Sequence, residues 1–401
     1  MRIAFYAPLK SPHHPTPSGD RHVARLIIQA LETQGHEVEI ASHLRSRDAK
    51  GDKERQIRMK KIGEKLAARY IKKIQNKPED QRPDIWITYH LYYKAPDWIG
   101  PLVCEALNIP YIPIEASIAN KRANGPWDLS HQAVVAAVHQ ADCIISLNPH
   151  DSNCLPKSIR NWTLPPFIIP DPIIENRENW SQCRKIIAEK YGLDPHKQWL
   201  LAIAMMRPGD KLESYKVLSK ALRGLPDLSW QLIIVGDGQA RPDVETAFVW
   251  VPNTKITYTG QLDSDELATL IPACDIYTWP AVNEAYGLAF LEAQAGGLPV
   301  IAGNTGGVPA VVADGETGLL TTPGDPVAFA AALRSLLTAP VRRRDMGKAA
   351  AEKVEAMHSL VTAGKRLDAI LATSRKNFIE PGLPLFDYVQ KNTNKNNTLL
   401  S

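Results

Sequence analysis

Short apolar runs alternate with amphipathic stretches along most of this chain, and the alternation predicts repeated strand–helix–strand units. The first run, 1–8, is followed by a polar loop and then by a helix that ends near Gly35. A second run, 36–41, completes a βαβ unit, and such units build parallel sheets. The pattern therefore predicts an α/β protein. The apolar face of that first helix comprises Val23, Leu26, Ile27, Ala30 and Leu31.

Three further apolar runs in the first half predict three more strands, and each run ends in polar residues. Because ligands in open α/β sheets lie at the carboxyl ends of the strands, these polar residues are candidates to line a cleft. Ordinary hydrogen-bonded residues at strand ends are the alternative, above all for His90 and Glu115. The runs are 84–90, 109–117 and 142–148, and the candidates are Tyr89, His90, Glu115, Ser117 and Asn148.

The second half contains a strand–helix–strand segment, 275–301, whose helix is predicted over 287–295. A helix that starts after a parallel strand has free backbone N–H groups, which bind an anion such as a diphosphate. Glu284 and Glu292 bracket this start, and eight helical residues rise roughly 12 Å, so the two carboxylates cannot share one proton. They are able to hold separate polyol groups, as a sugar nucleotide offers; incidental glutamates in a buried segment are the alternative. The other strands of this half are predicted at 199–206, 230–238 and 255–262.

The run Glu284-Ala285-Tyr286-Gly287, a second glutamate after seven intervening residues, and Gly297-Leu298-Pro299-Val300-Ile301 form one pattern along this segment. Together with 306–309 and 314–320, the pattern resembles the family 4 retaining glycosyltransferases of GT-B fold, over about residues 198–338. The resemblance implies two Rossmann-like doubly wound domains that face each other across a cleft. It also implies that the sugar nucleotide binds the C-terminal domain and that transfer occurs with retention, without a metal.

The resemblance further implies roles for individual residues of the second half. Glu284 would orient the donor sugar, Glu292 would bind the ribose hydroxyls, and Arg207 with Lys211 would neutralise the departing diphosphate. Lys211 lies four residues after Arg207 where relatives have about five, and surface charges on a turn are the alternative. The implied donor-binding residues are Glu292, Ala285, Tyr286, Gly287, Leu288, Gly236, Gly238, Leu262 and Gly19.

Two positions in the first half depart from the family pattern. The first loop is rich in proline where relatives carry a double glycine, so Gly19 is either a donor contact or a helix cap. Glu115 stands where many relatives have a histidine; a carboxylate there is able to bond a sugar hydroxyl or to assist proton loss from the acceptor. The basic, aromatic loop that follows suits acceptor contact through Asn120, Lys121 and Arg122.

Metal and cofactor sites are not expected. The Asp-Ser-Asp run at 263–265 has the spacing of a metal-binding Asp-x-Asp, but its position directly before Glu266 favours a helix N-cap. Two cations are already available to the diphosphate. The five cysteines are scattered and lack CxxC spacing, which predicts reduced thiols in a cytosolic protein rather than a zinc site.

The length of 401 residues favours two domains, each with its own core. The proline-rich stretch 161–180 separates them, so we expect an acceptor domain over 1–170, a linker over 171–195 and a donor domain over 196–374. Residues 375–401 are expected to form a crossover segment, with 384–388 returning to the first domain, and a disordered tail. No apolar run is long enough to span a bilayer, and the first residues do not resemble a signal peptide.

The net charge of +4 is unevenly placed, because residues 45–77 hold thirteen Lys or Arg against four Asp or Glu. A basic amphipathic helix over 52–74 suits an anionic membrane face, where each cation contributes on the order of 1 kcal/mol. A solvated helix whose apolar stripe packs on its own domain is the alternative. Nucleic acid is not expected, since Tyr70 is the only aromatic residue among the charges.

The sequence as a whole thus predicts a cytoplasmic retaining glycosyltransferase, attached peripherally to the membrane if the basic helix binds lipid. It would move a sugar from a nucleotide-diphosphate sugar, with UDP assumed, to a hydroxyl of a lipid or glycan by front-face attack. A sugar-nucleotide epimerase or hydrolase of the same fold is one alternative, and it predicts turnover without an acceptor. A non-catalytic module that binds sugar nucleotide or membrane is another.

Overall fold

The computed structural model describes residues 1–16, 18–147, 154–284 and 287–380. Its contacts divide the chain into two units, Met1–Leu164 together with the chain from Ala363 onward, and Pro165–Thr362. Each unit has a six-stranded parallel sheet with flanking helices, which confirms the predicted α/β, doubly wound class. Predicted features at Asn148, Ala285, Tyr286 and 384–388 lie outside the described residues.

The first unit is built on a sheet with strand order β2-β1-β3-β4-β5-β6, in which every pairing is parallel. Its strands are β1 (Arg2–Tyr6), β2 (Glu37–Ser42), β3 (Ile85–Leu91), β4 (Tyr111–Ala116), β5 (Ile144–Ser146) and β6 (Asn161–Thr163). Its connecting helices are α1 (Gly19–Glu32), α2 (Lys53–Gln75), α3 (Gly100–Leu107) and α4 (Asp128–Gln140), with 3₁₀ turns at Glu79–Gln81 and Asn120–Arg122.

The second unit repeats this plan with strand order β12-β11-β10-β7-β8-β9, again all parallel. Its strands are β7 (Gln198–Ile203), β8 (Trp230–Val235), β9 (Ile256–Gly260), β10 (Ile276–Trp279), β11 (Val300–Gly303) and β12 (Gly318–Thr321). Its helices are α5 (Asp171–Glu178), α6 (Trp180–Tyr191), α7 (Asp210–Arg223), α8 (Arg241–Ala247), α9 (Ser264–Ala273), α10 (Leu288–Ala295), α11 (Val308–Val311), α12 (Pro326–Leu337) and α13 (Pro340–Met357).

The last described helix, α14 (Leu360–Ile379), returns the chain to the first unit. His36 Nε2 lies 3.1 Å from Asp368 Oδ1. Gly364 lies so close to the end of α1 that an added Cβ would stand 2.6 Å from the Ala30 oxygen. Close helix packing and a half-buried polar contact therefore fix α14 to this unit. The first unit is completed by residues that follow the second unit in sequence.

The basic helix predicted over 52–74 is confirmed as α2, and the Asp52 side chain caps its start. Tyr70 and Ile74 are buried in the core of the first unit, whereas Ile57 at the other end of the predicted apolar stripe is 38% exposed. Most of the stripe thus packs on its own domain. The cationic face remains in solvent, and no helix in the described part of the chain is both long and apolar enough to cross a bilayer.

Residues 171–195, expected as a linker, form α5 and α6 of the second unit. Ile173, Cys183 and Ile187 from these helices are buried in the core of that unit. Pro170 and Pro172 stand at the start of α5, where proline suits the first turn of a helix. The prolines therefore mark a helix start rather than an extended connection.

Candidate functional site

The carboxyl ends of β7 and β10 bring Lys211 and Glu284 together. Lys211 lies in the first turn of α7, and its Nζ contacts Oε2 of Glu284 in the loop that follows β10. The Lys211 side chain is 26% exposed and that of Glu284 is 17% exposed. The ammonium also lies 5.4 Å from the centre of the Trp279 ring. A charge-assisted contact in this partly desolvated position is stronger than a surface pair.

The loop that carries Glu284 is fixed from two sides. Asn283 donates its side-chain N–H to Asp210 Oδ2 at 2.9 Å, which joins the loop to the start of α7. The Gly307 backbone N–H donates to the Glu284 carbonyl oxygen at 3.1 Å, which joins it to the loop after β11. These bonds hold the Glu284 backbone while its carboxylate stays at the strand edge.

Helix α10 begins without a side-chain cap. Gly287 precedes it with a left-handed backbone, φ +68°, and an added Cβ would meet the Phe290 ring at 2.2 Å. Glycine is therefore required both for the dihedral angle and for the space. The uncapped N–H groups of the first turn, at Leu288 and Ala289, make this helix start an anion-binding position.

The second glutamate, Glu292, lies one turn into α10 and is half-buried. Burial raises the pKa of its carboxyl to about 7. Burial first, and then the charges of Glu284 and Glu292, raise the pKa of the Tyr277 hydroxyl, so this tyrosine lies within electrostatic reach of both carboxylates. Its hydroxyl donates to the Ile203 oxygen at 3.2 Å. The sequence pattern did not single out Tyr277, which occupies an ordinary apolar strand position.

Arg207 stands in the loop after β7, with an exposed side chain that has no ion-pair partner among the described residues. The loop is fixed by the turn after β8, where Gly236 and Gly238 have φ +131° and +150°. Added Cβ atoms would lie 2.0 Å from the Ala204 oxygen and 2.4 Å from the Met206 oxygen. The two glycines therefore have a packing role, which is to let the β8 turn touch the backbone that carries Arg207.

The end of β9 supplies Leu262 and Asp263. Leu262 is half-buried against the core of the second unit. The predicted helix cap is confirmed: Asp263 accepts N–H bonds from Asp265 and Glu266, and Glu266 bonds back to the Asp263 backbone, which forms a capping box at the start of α9. Across the described ranges, no group of three His, Cys, Asp or Glu side chains is placed to hold a metal ion.

The first unit has two strained residues at neighbouring strand ends. His90 near the end of β3 has φ +65°, and Glu115 near the end of β4 has φ +58°. The two occupy matching positions, because Tyr89 pairs with Ile114 and Leu91 with Ala116 on either side. Non-glycine residues with such angles are uncommon and cluster at functional sites.

His90 is held by a residue that the sequence pattern did not reveal. Its Nδ1 lies 3.0 Å from Asp20 Oδ1, and this hydrogen bond is the main cause that lowers the pKa of the Asp20 carboxyl. Asp20 follows Gly19 in the first turn of α1, and Ser18 caps that helix. An added Cβ at Gly19 would meet nothing within 4 Å, so the space beside it is open. The β1–α1 loop and the end of β3 thus share one polar group.

Glu115 has a bonding partner within its own unit. Its Oε1 accepts the Leu147 backbone N–H, which ties the end of β4 to the residue that follows β5. Ser117, two residues further along the chain, donates its backbone N–H to the Leu91 oxygen at 3.0 Å. Both bonds order the carboxyl edge of this sheet. The Glu115 carboxylate therefore has a structural function whatever else it contacts.

The loop after β4 presents Asn120 and Lys121 to solvent and places Arg122 against two aromatic rings. The Arg122 Cζ lies 5.0 Å from the Tyr93 ring centre and 5.1 Å from that of Trp127. The sequence predicted the basic, aromatic loop, which includes Trp127, but not its contact with Tyr93, which follows β3. The predicted residues thus form two groups, one in each unit.

Comparison with solved structures defines the class of fold. A glycosyltransferase from Rickettsia africae superposes with a TM-score of 0.71 at 19% identity, covering 95% of this chain and 99% of that one. Anabaena HepE, solved in complex with UDP, gives a TM-score of 0.69 at 15% identity, covering 93% and 100%. At these identities the likeness shows the fold alone, and that fold is GT-B.

Comparison of sequences then gives the family. Residues 184–353 match the family model described as Glycosyl transferases group 1. The matched residues lie within the second unit, and the match confirms the resemblance noted from the sequence.

Three relatives illustrate the range of proteins that share this domain. The sulfoquinovosyl transferase of Arabidopsis thaliana is 35% identical over 146 residues, or 36% of this chain and 28% of that protein. The D-inositol 3-phosphate glycosyltransferase of Corynebacterium diphtheriae is 25% identical over 306 residues, which cover 70% of this chain and 69% of that protein. The GDP-mannose-dependent monoacylated alpha-(1-6)-phosphatidylinositol monomannoside mannosyltransferase of Corynebacterium glutamicum is 34% identical over 163 residues, or 39% and 42%. The chain thus spans less than half the length of two of these relatives.

Proposed function

We propose that this protein transfers a sugar from a nucleoside-diphosphate sugar to a hydroxyl group of a lipid or glycan acceptor, with retention at the anomeric carbon. The observation that carries the proposal is the contact between Lys211 and Glu284 at the carboxyl edge of the second sheet, in the loop that leads to the uncapped start of α10. The arrangement combines a cation for phosphate, a carboxylate for sugar hydroxyls and free backbone donors for an anion.

The donor is proposed to bind along this edge. Its diphosphate takes the N–H groups at the start of α10 and the side chains of Lys211 and Arg207. Glu284 accepts hydrogen bonds from the sugar hydroxyls. Glu292, one turn further along the helix, accepts those of the ribose. The spacing of the two glutamates along the chain matches the order sugar, diphosphate, ribose.

The reaction is proposed to proceed on one face of the sugar. The bond from the anomeric carbon to the diphosphate oxygen breaks, the acceptor oxygen attacks from the same side, and the leaving diphosphate takes the acceptor proton. Negative charge then grows on the diphosphate, where Lys211, Arg207 and the helix start stabilise it. Two fixed cations are able to supply the positive charge that this step requires, so metal independence is part of the proposal.

The acceptor is proposed to be presented at an anionic membrane face. Support comes from α2, where Arg58, Lys61, Lys65, Arg69 and Lys72 form one exposed stripe along the helix and have no ion-pair partner in the described residues. Polybasic surfaces of this kind are attracted to anionic lipid. The name of the Corynebacterium glutamicum relative, with its acylated phosphatidylinositol acceptor, favours the same class of substrate.

The test is a donor screen that measures release of nucleoside diphosphate, with and without an anionic lipid extract. UDP-sugars and GDP-mannose are the first donors to try, because one fold neighbour was solved with UDP and one relative is named for GDP-mannose. We expect release that depends on the acceptor extract. Turnover without acceptor would instead favour an epimerase or hydrolase, and nucleotide binding without release would favour a non-catalytic module.

A further inference from the structure

The first unit contains a compact cluster of cations over two aromatic rings. Tyr93 and Trp127 meet edge to face, with ring centres 5.6 Å apart. Arg122 Cζ lies 5.0 and 5.1 Å from these two centres, and Lys94 Nζ lies 5.7 and 5.8 Å from the same two. Two positive groups therefore share one pair of rings, which attract cations without neutralising them.

The cluster has no carboxylate partner within the described ranges. Neither Lys94, Lys121 nor Arg122 forms an ion pair there, and the Nε of Arg122 is buried without a hydrogen-bond partner. A buried guanidinium N–H without an acceptor is costly, and like charges held close together repel one another. An anion would relieve both costs at once.

Two acidic side chains of the surrounding loops are hydrogen-bonded to other groups. The Asp48 carboxylate accepts backbone N–H bonds from Lys50 and Gly51 and a side-chain bond from Gln56. The Asp128 carboxylate accepts the Asn124 backbone N–H at 2.7 Å. These hydrogen bonds order the surrounding loops, and among the described residues neither carboxylate forms an ion pair with a cation of the cluster.

We propose that Arg122 and Lys94, with the exposed Lys121 that precedes Arg122 in the loop, form a subsite for a phosphate group carried by the acceptor. The proposal rests on the transferase function given above, because that function makes the phosphate-bearing molecule the acceptor. Binding of phosphate itself is measured without any transfer. Arginine suits the role, since its planar guanidinium pairs with two phosphate oxygens, and its ring stacking fixes its orientation beforehand.

The support beneath the cluster is rigid and continuous with the basic helix α2. Trp127 Nε1 donates to the Asp48 carbonyl oxygen at 3.1 Å. Gln56, in the first turn of α2, donates to the Pro126 oxygen at 2.8 Å. The proposed phosphate subsite thus lies beside the start of the helix whose cations face solvent. A phosphorylated headgroup at a membrane surface and a soluble phosphate monoester are both able to supply the group.

The experiment is calorimetric binding to the full chain of three probes: inorganic phosphate, D-inositol 3-phosphate, and vesicles that contain phosphatidylinositol, with phosphatidylcholine vesicles as reference. We expect Arg122→Gln to weaken probe binding about tenfold or more, the loss of one charged hydrogen-bonding pair. UDP binding by the same variant should stay at the wild-type level. Binding of the soluble probes assigns a phosphate monoester, whereas binding of the vesicles alone assigns a lipid headgroup.

Arg223→Gln is the matched control, because Arg223 stacks on Trp250 at 5.2 Å in the other unit. An equal loss in both variants would overturn the proposal, as would a wild-type chain that binds none of the probes. Lys94→Gln repeats the test if Arg122→Gln fails to fold. Absence of UDP binding would contradict the transferase function only, because binding of the phosphate probes is a separate measurement that tests the subsite.

Discussion

The Lys211 ammonium and the Glu284 carboxylate contact each other across 73 positions of sequence, at the carboxyl edge of the second sheet. The pair is partly shielded from water, and the loops on both sides are hydrogen-bonded in place. A bound diphosphate would compete for the ammonium, while sugar hydroxyls would take the carboxylate. In the proposed reaction the pair would thus hold both groups in place until a donor binds.

Lys211→Met and Glu284→Gln should each lower the rate of transfer by on the order of 10²–10³-fold, because each removes a charge that acts on the reacting sugar diphosphate. The free energy of unfolding should fall by only about 1 kcal/mol, because the ion pair is partly exposed. Rates come from nucleoside-diphosphate release and stability from urea denaturation. Lys190→Met is the control, since Lys190 and Glu266 form an exposed 2.8 Å pair in the same unit. Wild-type turnover in Glu284→Gln would refute the role.

Glu292→Gln should remove a pH dependence of stability. The carboxyl ionises near 4.5 when unfolded and near 7 when folded, so between these values the native state binds more protons and stability falls as pH rises. The variant should match the wild type near pH 4 and exceed it near pH 8, by on the order of 2 kcal/mol. Thermal or urea unfolding at both pH values measures the difference. Equal pH profiles would show that the side chain is not desolvated.

The same substitution should weaken donor binding. In the proposed donor complex the ionised carboxylate would accept two hydroxyl hydrogen bonds, so wild-type affinity for UDP should rise as pH increases through about 7. The Gln variant should bind more weakly and without that rise. Calorimetry with UDP between about pH 6 and pH 8 checks the result. A wild-type affinity that falls over this range would contradict ribose binding by Glu292.

Gly238→Ala should destabilise the second unit by on the order of 2–4 kcal/mol, since φ is +150° and the new Cβ would strike the Met206 oxygen. Gly209→Ala is the control, because φ is also positive there, at +84°, but no atom lies close to the added Cβ. It should lower the free energy of unfolding by about 1 kcal/mol. Urea denaturation gives both values. An equal loss of stability in the two variants would show that the turn after β8 does not pack closely against the loop that carries Arg207.

Replacing the five stripe cations of α2 with glutamine should abolish sedimentation with anionic vesicles at low salt. Each cation near such a surface contributes about 1 kcal/mol, and the buried face of the helix leaves little apolar surface to insert. The control carries Arg342→Gln, Arg344→Gln and Lys348→Gln on α13 of the other unit. Failure of the wild type to sediment, or an equal loss in the control, would remove the membrane interaction.

Strong local patterns made most of the fold predictable. Apolar runs located ten of the twelve described strands, and the cap residue Asp263 located the start of α9. Strand β6 (Asn161–Thr163) was missed because three residues with two polar ones carry no period. The prolines around the start of α5 suggested a linker, but Ile173 of this helix is buried in the core of the second unit. Such burial depends on tertiary packing, which the local sequence does not show.

The site was predictable only where its residues follow one another in a recognisable order. The order singled out the two glutamates and the cations after β7 as candidates. It did not single out Tyr277, which lies within electrostatic reach of the carboxylates, or Asp20 beside His90, since each resembles many other strand or helix-start residues. Trp127 lies in the same loop as Arg122, but Tyr93 follows β3, and only the folded sheet brings this second ring to Arg122.

Helix α14 has a consequence for biosynthesis. Because it closes the first unit from beyond the second, the opening segment of the chain leaves the ribosome without its final helix. At ~5–20 residues per second, the intervening unit takes roughly 10–40 seconds to emerge. During this interval the later-made half is able to fold first, and the patch around Ala30 stays uncovered and open to a chaperone.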